Sequence, residues 1–242
     1  MIGALNNIID GVQDKAQKLV LIITDGLDKV SSVRARLLFA ESTLLTEPAC
    51  ALVYASPIEF HHRLTAGQAV NIFDEYRMLP NPTVQRRPLT GDNWKLARNP
   101  DENGLKVMRK VISKRLTARG KIVDDMISPA ALDLLARTSG GVMRELIRYV
   151  RNAVEFAQLL GKMQIDEMIA QNVVDQQRQD VSLRLTVDHR EALRQVMTQG
   201  ELSAGQRETV EDELLRSLHL LSYQDDSGHS WFDAHPNVLP LL

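Results

Sequence analysis

The stretch Leu19-Val20-Leu21-Ile22-Ile23-Thr24-Asp25-Gly26-Leu27-Asp28-Lys29 constrains this chain more than any other. Five apolar residues in succession are too few for a helix of their own. Their β-branching reads as a strand buried in a parallel sheet. Open α/β sheets hold ligands outside the carboxyl ends of their strands, and Asp25 stands at that end. The same residues also read as an ordinary core strand leaving through an Asp-Gly turn, and on this stretch alone the two readings weigh equally.

A second apolar run, Ala51-Leu52-Val53-Tyr54-Ala55, ends at Ser56-Pro57, because Pro cannot continue a central strand. Between the two runs, Ser31 or Ser32 can cap a helix reaching about Leu45, with Val33, Leu37, Leu38 and Ala40 on its apolar side. Strand, helix, strand at this spacing is a βαβ unit and implies a parallel sheet. A helix over residues 3–17 precedes it, and Met78 to Val84 reads as a third short strand whose prolines suit a sheet edge. After Arg87 the spacing turns helical. Helices are expected over Asp101–Arg119, from Ser128-Pro129 to about Thr138, over Val142–Leu160, and from about Asp166 to Leu185. Two more follow at about 188–199 and 206–221, and Leu220–Gln224 with Ser230–His235 read as a hairpin across Asp225-Asp226-Ser227-Gly228.

Charge is nearly balanced overall but unevenly spread. Arg86 to Lys121 carries eleven Lys or Arg against Asp92, Asp101 and Glu102. From Asp188 onward ten Asp or Glu face Arg190, Arg194, Arg207 and Arg216. The net charge of −2 gives no global pull toward nucleic acid or anionic membrane. Cys50 is the only cysteine, so it forms no internal disulfide; a reducing cytoplasm and a small buried thiol are the expectation. No stretch is apolar enough to span a bilayer, and the opening residues lack the charged start and apolar core expected of a signal peptide.

The run to Asp25 resembles a Walker B strand, and Asp-Gly-Leu-Asp resembles the variant found in AAA+ and STAND-like ATPases. Two further stretches occur in that family's order. Ala51 to Ser56 occupies the place of sensor 1. Thr138-Ser139-Gly140-Gly141-Val142-Met143-Arg144-Glu145-Leu146 resembles sensor 2 of the AAA+ lid, the most specific of the three. The resemblance implies ATP and Mg²⁺ as ligands, with Asp25 on the metal, Ser56 near the γ-phosphate, and Gly141 and Arg144 at the phosphates. Physical reasoning supports Arg144 separately. Paired glycines allow a ligand or backbone to come close, a helix amino end favours an anion, and an Arg offers a fork of donors. The other reading makes Arg144, Arg148 and Arg151 the solvated face of a helix whose opposite face is Leu146, Val150, Ala153 and Ala157.

This sequence departs from the family in two ways. The Glu that usually follows the Walker B Asp is replaced by Gly26; STAND-type sequences use an acid two residues further on, which makes Asp28 the expected base. Asp28 also reads as a helix cap or a partner of Lys29 or Arg34. The P-loop is missing: Gly120-Lys121 and Gly161-Lys162 lack both the earlier Gly and the following hydroxyl. Arg63, by its position after Ser56, is the expected arginine finger.

The expected architecture is therefore a partial α/β core with a parallel sheet, a P-loop NTPase remnant, over residues 1–90. An all-α lid follows over 91–187 and a winged-helix-like module over 188–242. The expected function is that of a fragment or divergent member of an AAA+/STAND ATPase that switches or assembles with nucleotide, inactive by itself unless a P-loop is supplied upstream. A protein partner or self-association is expected. The alternative is a non-enzymatic adaptor on a decayed ATPase scaffold. Nucleic-acid binding through Lys106, Arg109, Lys110, Lys114 and Arg119 is a third reading, less favoured than a solvated helix face. The tail's Glu208, Glu211, Asp212, Glu213, Asp225 and Asp226 repel phosphate, so that module suits protein contact or autoinhibition rather than DNA. His61-His62 and His229/His235 lack the companions of a zinc set.

Overall fold

A computed structural model describes residues 2–63, 72–87, 98–203 and 210–242, the side chains of Ser32 and Arg63 excepted. The chain divides into two compact units. The first takes the residues up to Leu79 together with a helix ending at Arg216; the second takes the rest.

The first unit opens with α1 (Ile2–Ala16) and continues through β1 (Leu21–Thr24), α2 (Ser32–Phe39), β2 (Ala51–Tyr54) and α3 (Ile58–Arg63). The strands pair in parallel, Leu21 opposite Ala51 and Thr24 opposite Tyr54, which is the expected βαβ unit. Ser31 caps α2 by accepting from the Arg34 amide. Its core is aromatic: Phe39 lies 5.6 Å from Phe60 and 5.9 Å from Phe73, ring to ring, with Ala35 buried beside them. The Tyr54 hydroxyl donates to the Leu45 carbonyl and ties the second strand to the connecting loop. α10 (Val210–Arg216) packs here too, burying Leu214 and Leu215, and Arg216 reaches Glu59 at 2.9 Å.

The second unit holds α4 (Glu102–Thr117), α5 (Val123–Met126), α6 (Pro129–Thr138), α7 (Met143–Leu159), α8 (Glu167–Ser182) and α9 (Val187–Gln199), then the antiparallel pair β3 (Leu220–Gln224) and β4 (Ser230–Ala234). Apolar residues at helical spacing on four of these helices converge: Leu105, Met108 and Ile112; Leu132 and Leu135; Leu146 and Tyr149; Ile169 and Val173. Burying each of the larger side chains contributes about 1.5–3 kcal/mol. Polar caps fix where the helices begin. Asp101 accepts from Asn103 and Gly104, Ser128 from Ala131 ahead of Pro129, and Asp166 from Ile169. The hairpin packs through Tyr223 and Trp231, stacked at 4.5 Å, against Val142 and Leu221. A buried ion pair adds to this, with Arg98 gripping both oxygens of Asp233 at 2.9 Å while Gln85 donates to one of them.

Several sequence expectations are corrected. The run before Asp25 is not a buried strand: Leu21 is 56% and Ile23 68% exposed. α2 stops at Phe39 rather than near Leu45, and a 3₁₀ turn at Leu44–Thr46 replaces its last turn. Met78 to Val84 forms no strand; that region pairs only at an isolated bridge between Gln85 and Pro100. Cys50 is half-buried rather than buried. No helix among the described residues is long and apolar enough to cross a membrane.

Candidate functional site

In the first unit, parallel register sets Asp25 and Ser56 at adjoining carboxyl ends, one residue past β1 and two past β2. The exposed Asp25 carboxylate accepts from the Gly26 amide at 2.8 Å, and Gly26 turns the chain with φ of 95°. Asp28 follows in a 3₁₀ turn and is half-buried. The Ser56 hydroxyl lies 3.3 Å from the Tyr76 hydroxyl, whose pKa burial pushes upward. His61 stacks on Tyr76 at 5.3 Å, and burial lowers its pKa. Arg63 closes α3, and its side chain lies outside the described ones.

Gly141 and Arg144 belong to the second unit. Gly140 and Gly141 both have positive φ, 61° and 82°. Their open space is filled from within the unit. A Cβ on Gly140 would stand 2.3 Å from Leu221 Cδ1, and one on Gly141 would stand 1.9 Å from the Pro82 carbonyl oxygen. The close approach foreseen for this pair is thus made by the protein's own chain. Arg144 is exposed in the first turn of α7, with Glu145 beside it held by Arg148. No side chain caps this helix end.

Around α7 the packing includes polar contacts. Tyr223 donates to the Gly140 carbonyl at 2.7 Å, and Asn237 donates to the Tyr149 hydroxyl at 3.0 Å. His235 Nδ1 accepts from the Asn237 amide, and burial, helped by the nearby charges of His219 and Arg148, lowers this imidazole from 6.5 to about 3. The unfolded chain takes up this proton near 6.5, whereas the folded chain resists it down to about 3. The stability due to neutral His235 is therefore whole above that range and is lost as pH falls through it, by about 2 kcal/mol at pH 5. Urea unfolding across this range should show the loss. His235→Asn keeps an acceptor for the Asn237 amide and should flatten the dependence; an unchanged slope would refute the assignment.

The basic helix is not a uniform cationic stripe. Arg109 is taken up by Asp133 and Glu102, which also raise its pKa, while Lys106 and Lys110 form no ion pair among the described residues. Asp25 and Ser56 share one strand-end edge, and an exposed carboxylate there suits a hard cation such as Mg²⁺, which takes one or two carboxylates plus phosphate oxygens. The sequence reading missed Tyr76 and the buried Glu59. The one available signal was an acid inside the apolar run Pro57-Ile58-Glu59-Phe60.

No protein-family model matches the chain, and no curated protein matches it. Among solved structures it is similar to the Thermotoga maritima RuvB Holliday junction branch migration motor, with 15% identity over 99% of this chain and 74% of that one and a TM-score of 0.45. A variant of the same RuvB shows 16% identity over 91% and 69%, with a TM-score of 0.43. The Aeropyrum pernix ORC2 protein, in ADPNP–ADP complexes, shows 16% identity over 97% and 65%, with a TM-score of 0.47.

Proposed function

We propose that this chain is a divergent AAA+ ATPase-like protein whose β1–β2 pair is the inner part of a larger nucleotide-binding sheet. One observation carries the reading: a parallel pair ends in Asp25 and Ser56 while its outer surface stays uncovered, with Leu21, Ile23 and Val53 each more than half exposed. Parallel strands are stable where both faces are covered, so this pair calls for further strands and a covering layer. In the reading we favour, those strands bring the phosphate-binding loop. Asp25 would hold Mg²⁺, Asp28 would act as base and Ser56 would meet the nucleotide; Arg144, in the second unit, would take the sensor 2 role that the resemblance implies. The bound nucleotide would supply the phosphoryl-transfer chemistry.

The adaptor reading is favoured by a different observation. The spaces at Gly140 and Gly141 are occupied by Leu221 and Pro82, so the glycine pair has a packing reason of its own. Nucleotide titration of the polypeptide as its gene encodes it separates the two. On the ATPase reading, Asp25→Asn weakens MgATP binding at least about tenfold and leaves metal-free binding unchanged, while Arg144→Ala weakens both. Absence of nucleotide binding, or indifference to both substitutions, leaves the adaptor.

A further inference from the structure

A groove of about 940 Å³ runs between α4, α5 and the start of α6, entirely within the second unit. Ile122, 66% exposed, forms its accessible apolar rim with Val123 and Pro129, while Ile127 and Leu132 close its floor as buried side chains. Lys106, Lys110 and Lys121 line the same groove and form no ion pair among the described residues. Its two carboxylates differ in pairing. Asp133 is neutralised by Arg109, whereas Asp124 sits exposed on α5. The lining is therefore net cationic over an apolar base. Along α4, Lys106 to Thr117 covers about three helical turns, roughly 16 Å.

We propose that this groove is a docking site for an acidic amphipathic helix of a protein partner. Charge complementarity selects that occupant. Apolar side chains at i, i+3 and i+4 would seat on Ile122, Val123 and Pro129, and flanking Asp or Glu would meet Lys106, Lys110 and Lys121. A nucleic-acid strand fits less well. It has no use for the apolar base, and no aromatic side chain lines the groove for base stacking. The chain's own acidic run cannot serve, because Glu211 and Asp212 are buried in the first unit. The proposal is independent of nucleotide binding.

The test is selection of displayed random peptides of about sixteen residues, long enough to follow the groove as a helix, on the intact chain. Enriched peptides should carry net negative charge with apolar residues at i, i+3 and i+4. Their affinity, measured by anisotropy, should fall about tenfold or more in Lys106→Glu/Lys110→Glu, and likewise in Ile122→Asp. All three positions are exposed, so the fold should persist, and circular dichroism checks that it does. Three outcomes overturn the proposal. One is an empty selection, and another is enrichment of neutral or basic peptides. The third is a duplex DNA probe that binds more tightly than any peptide, is lost in the lysine variant and ignores Ile122→Asp; that would make this a phosphate-binding surface.

Discussion

Arg98→Met should destabilise the protein by about 3–5 kcal/mol, because it strands a buried carboxylate with no cation to face it. The side chains of Arg98 and Asp233 are 4% and 0% exposed, and the guanidinium forks both carboxylate oxygens at 2.9 Å. Gln85 alone cannot compensate, since a neutral amide offers Asp233 a single hydrogen bond at 3.1 Å. A loss of that size is a large part of the roughly 5–15 kcal/mol that holds a typical domain together. The first structural casualty should be the hairpin, because Asp233 lies on β4 between the Trp231 stack and the Ala234 amide bonded to Met197. Urea unfolding followed by tryptophan fluorescence measures both the midpoint and the loosening. Burial already pushes the Asp233 carboxyl above the usual carboxylate range with Arg98 in place. Removing Arg98 pushes it further, so the variant gains relative to the parent as pH falls and Asp233 takes up a proton. His235 titrates alike in both proteins and cancels from that difference. The double variant Arg98→Met/Asp233→Leu should recover most of the lost stability, as apolar replacements of buried pairs often do. If Arg98→Met cost no more than a surface change, the pair would not be the tie between the hairpin and the segment leading into α4.

How much of this was legible in the sequence depends on the range of the interaction. Ser128-Pro129 and Asp166 announce helix starts because a cap is made within three residues, and the structure begins those helices at Pro129 and Glu167. The hairpin was visible for the same local reason, Asp225 accepting from the Ser227 and His229 amides as Gly228 turns at positive φ. The parallel pairing behind Asp25 and Ser56 was legible from strand spacing. The exposure of β1 was not, since Leu21 and Ile23 read identically whether or not anything covers them. Partners distant in the chain left no local trace: Arg98 and Asp233 are 135 positions apart, and Glu59 and Arg216 are 157. The groove was hidden for a related reason. Sequence showed α4 as a row of cations, but only the fold reveals that Asp133 removes Arg109 from the row and that Ile122, Ile127 and Leu132 lie beside what is left.

Gly141→Ala should cost roughly 2–5 kcal/mol, and the way it fails should tell a packing role from a ligand-binding one. Two penalties add. At φ of 82° an alanine Cβ meets its own carbonyl, and the new methyl would also stand 1.9 Å from the Pro82 oxygen. That oxygen belongs to backbone. The next residue is gripped as closely, since a Cβ on Gly104 would stand 2.0 Å from the Thr83 oxygen. Residues 82–83 thus run between two helices that approach through glycine, Gly104 on α4 and Gly141 just ahead of α7, and Val84 behind them is fully buried. Relief of either clash therefore moves α4, α7 or the segment they grip. Thermal unfolding should show both Gly141→Ala and Gly104→Ala destabilised, Gly104→Ala the less because it meets the backbone clash without the positive-φ penalty, although only the first lies in the motif resembling sensor 2. If instead Gly141→Ala folds as stably as the parent and loses only nucleotide affinity, the glycine is there for a phosphate rather than for Pro82.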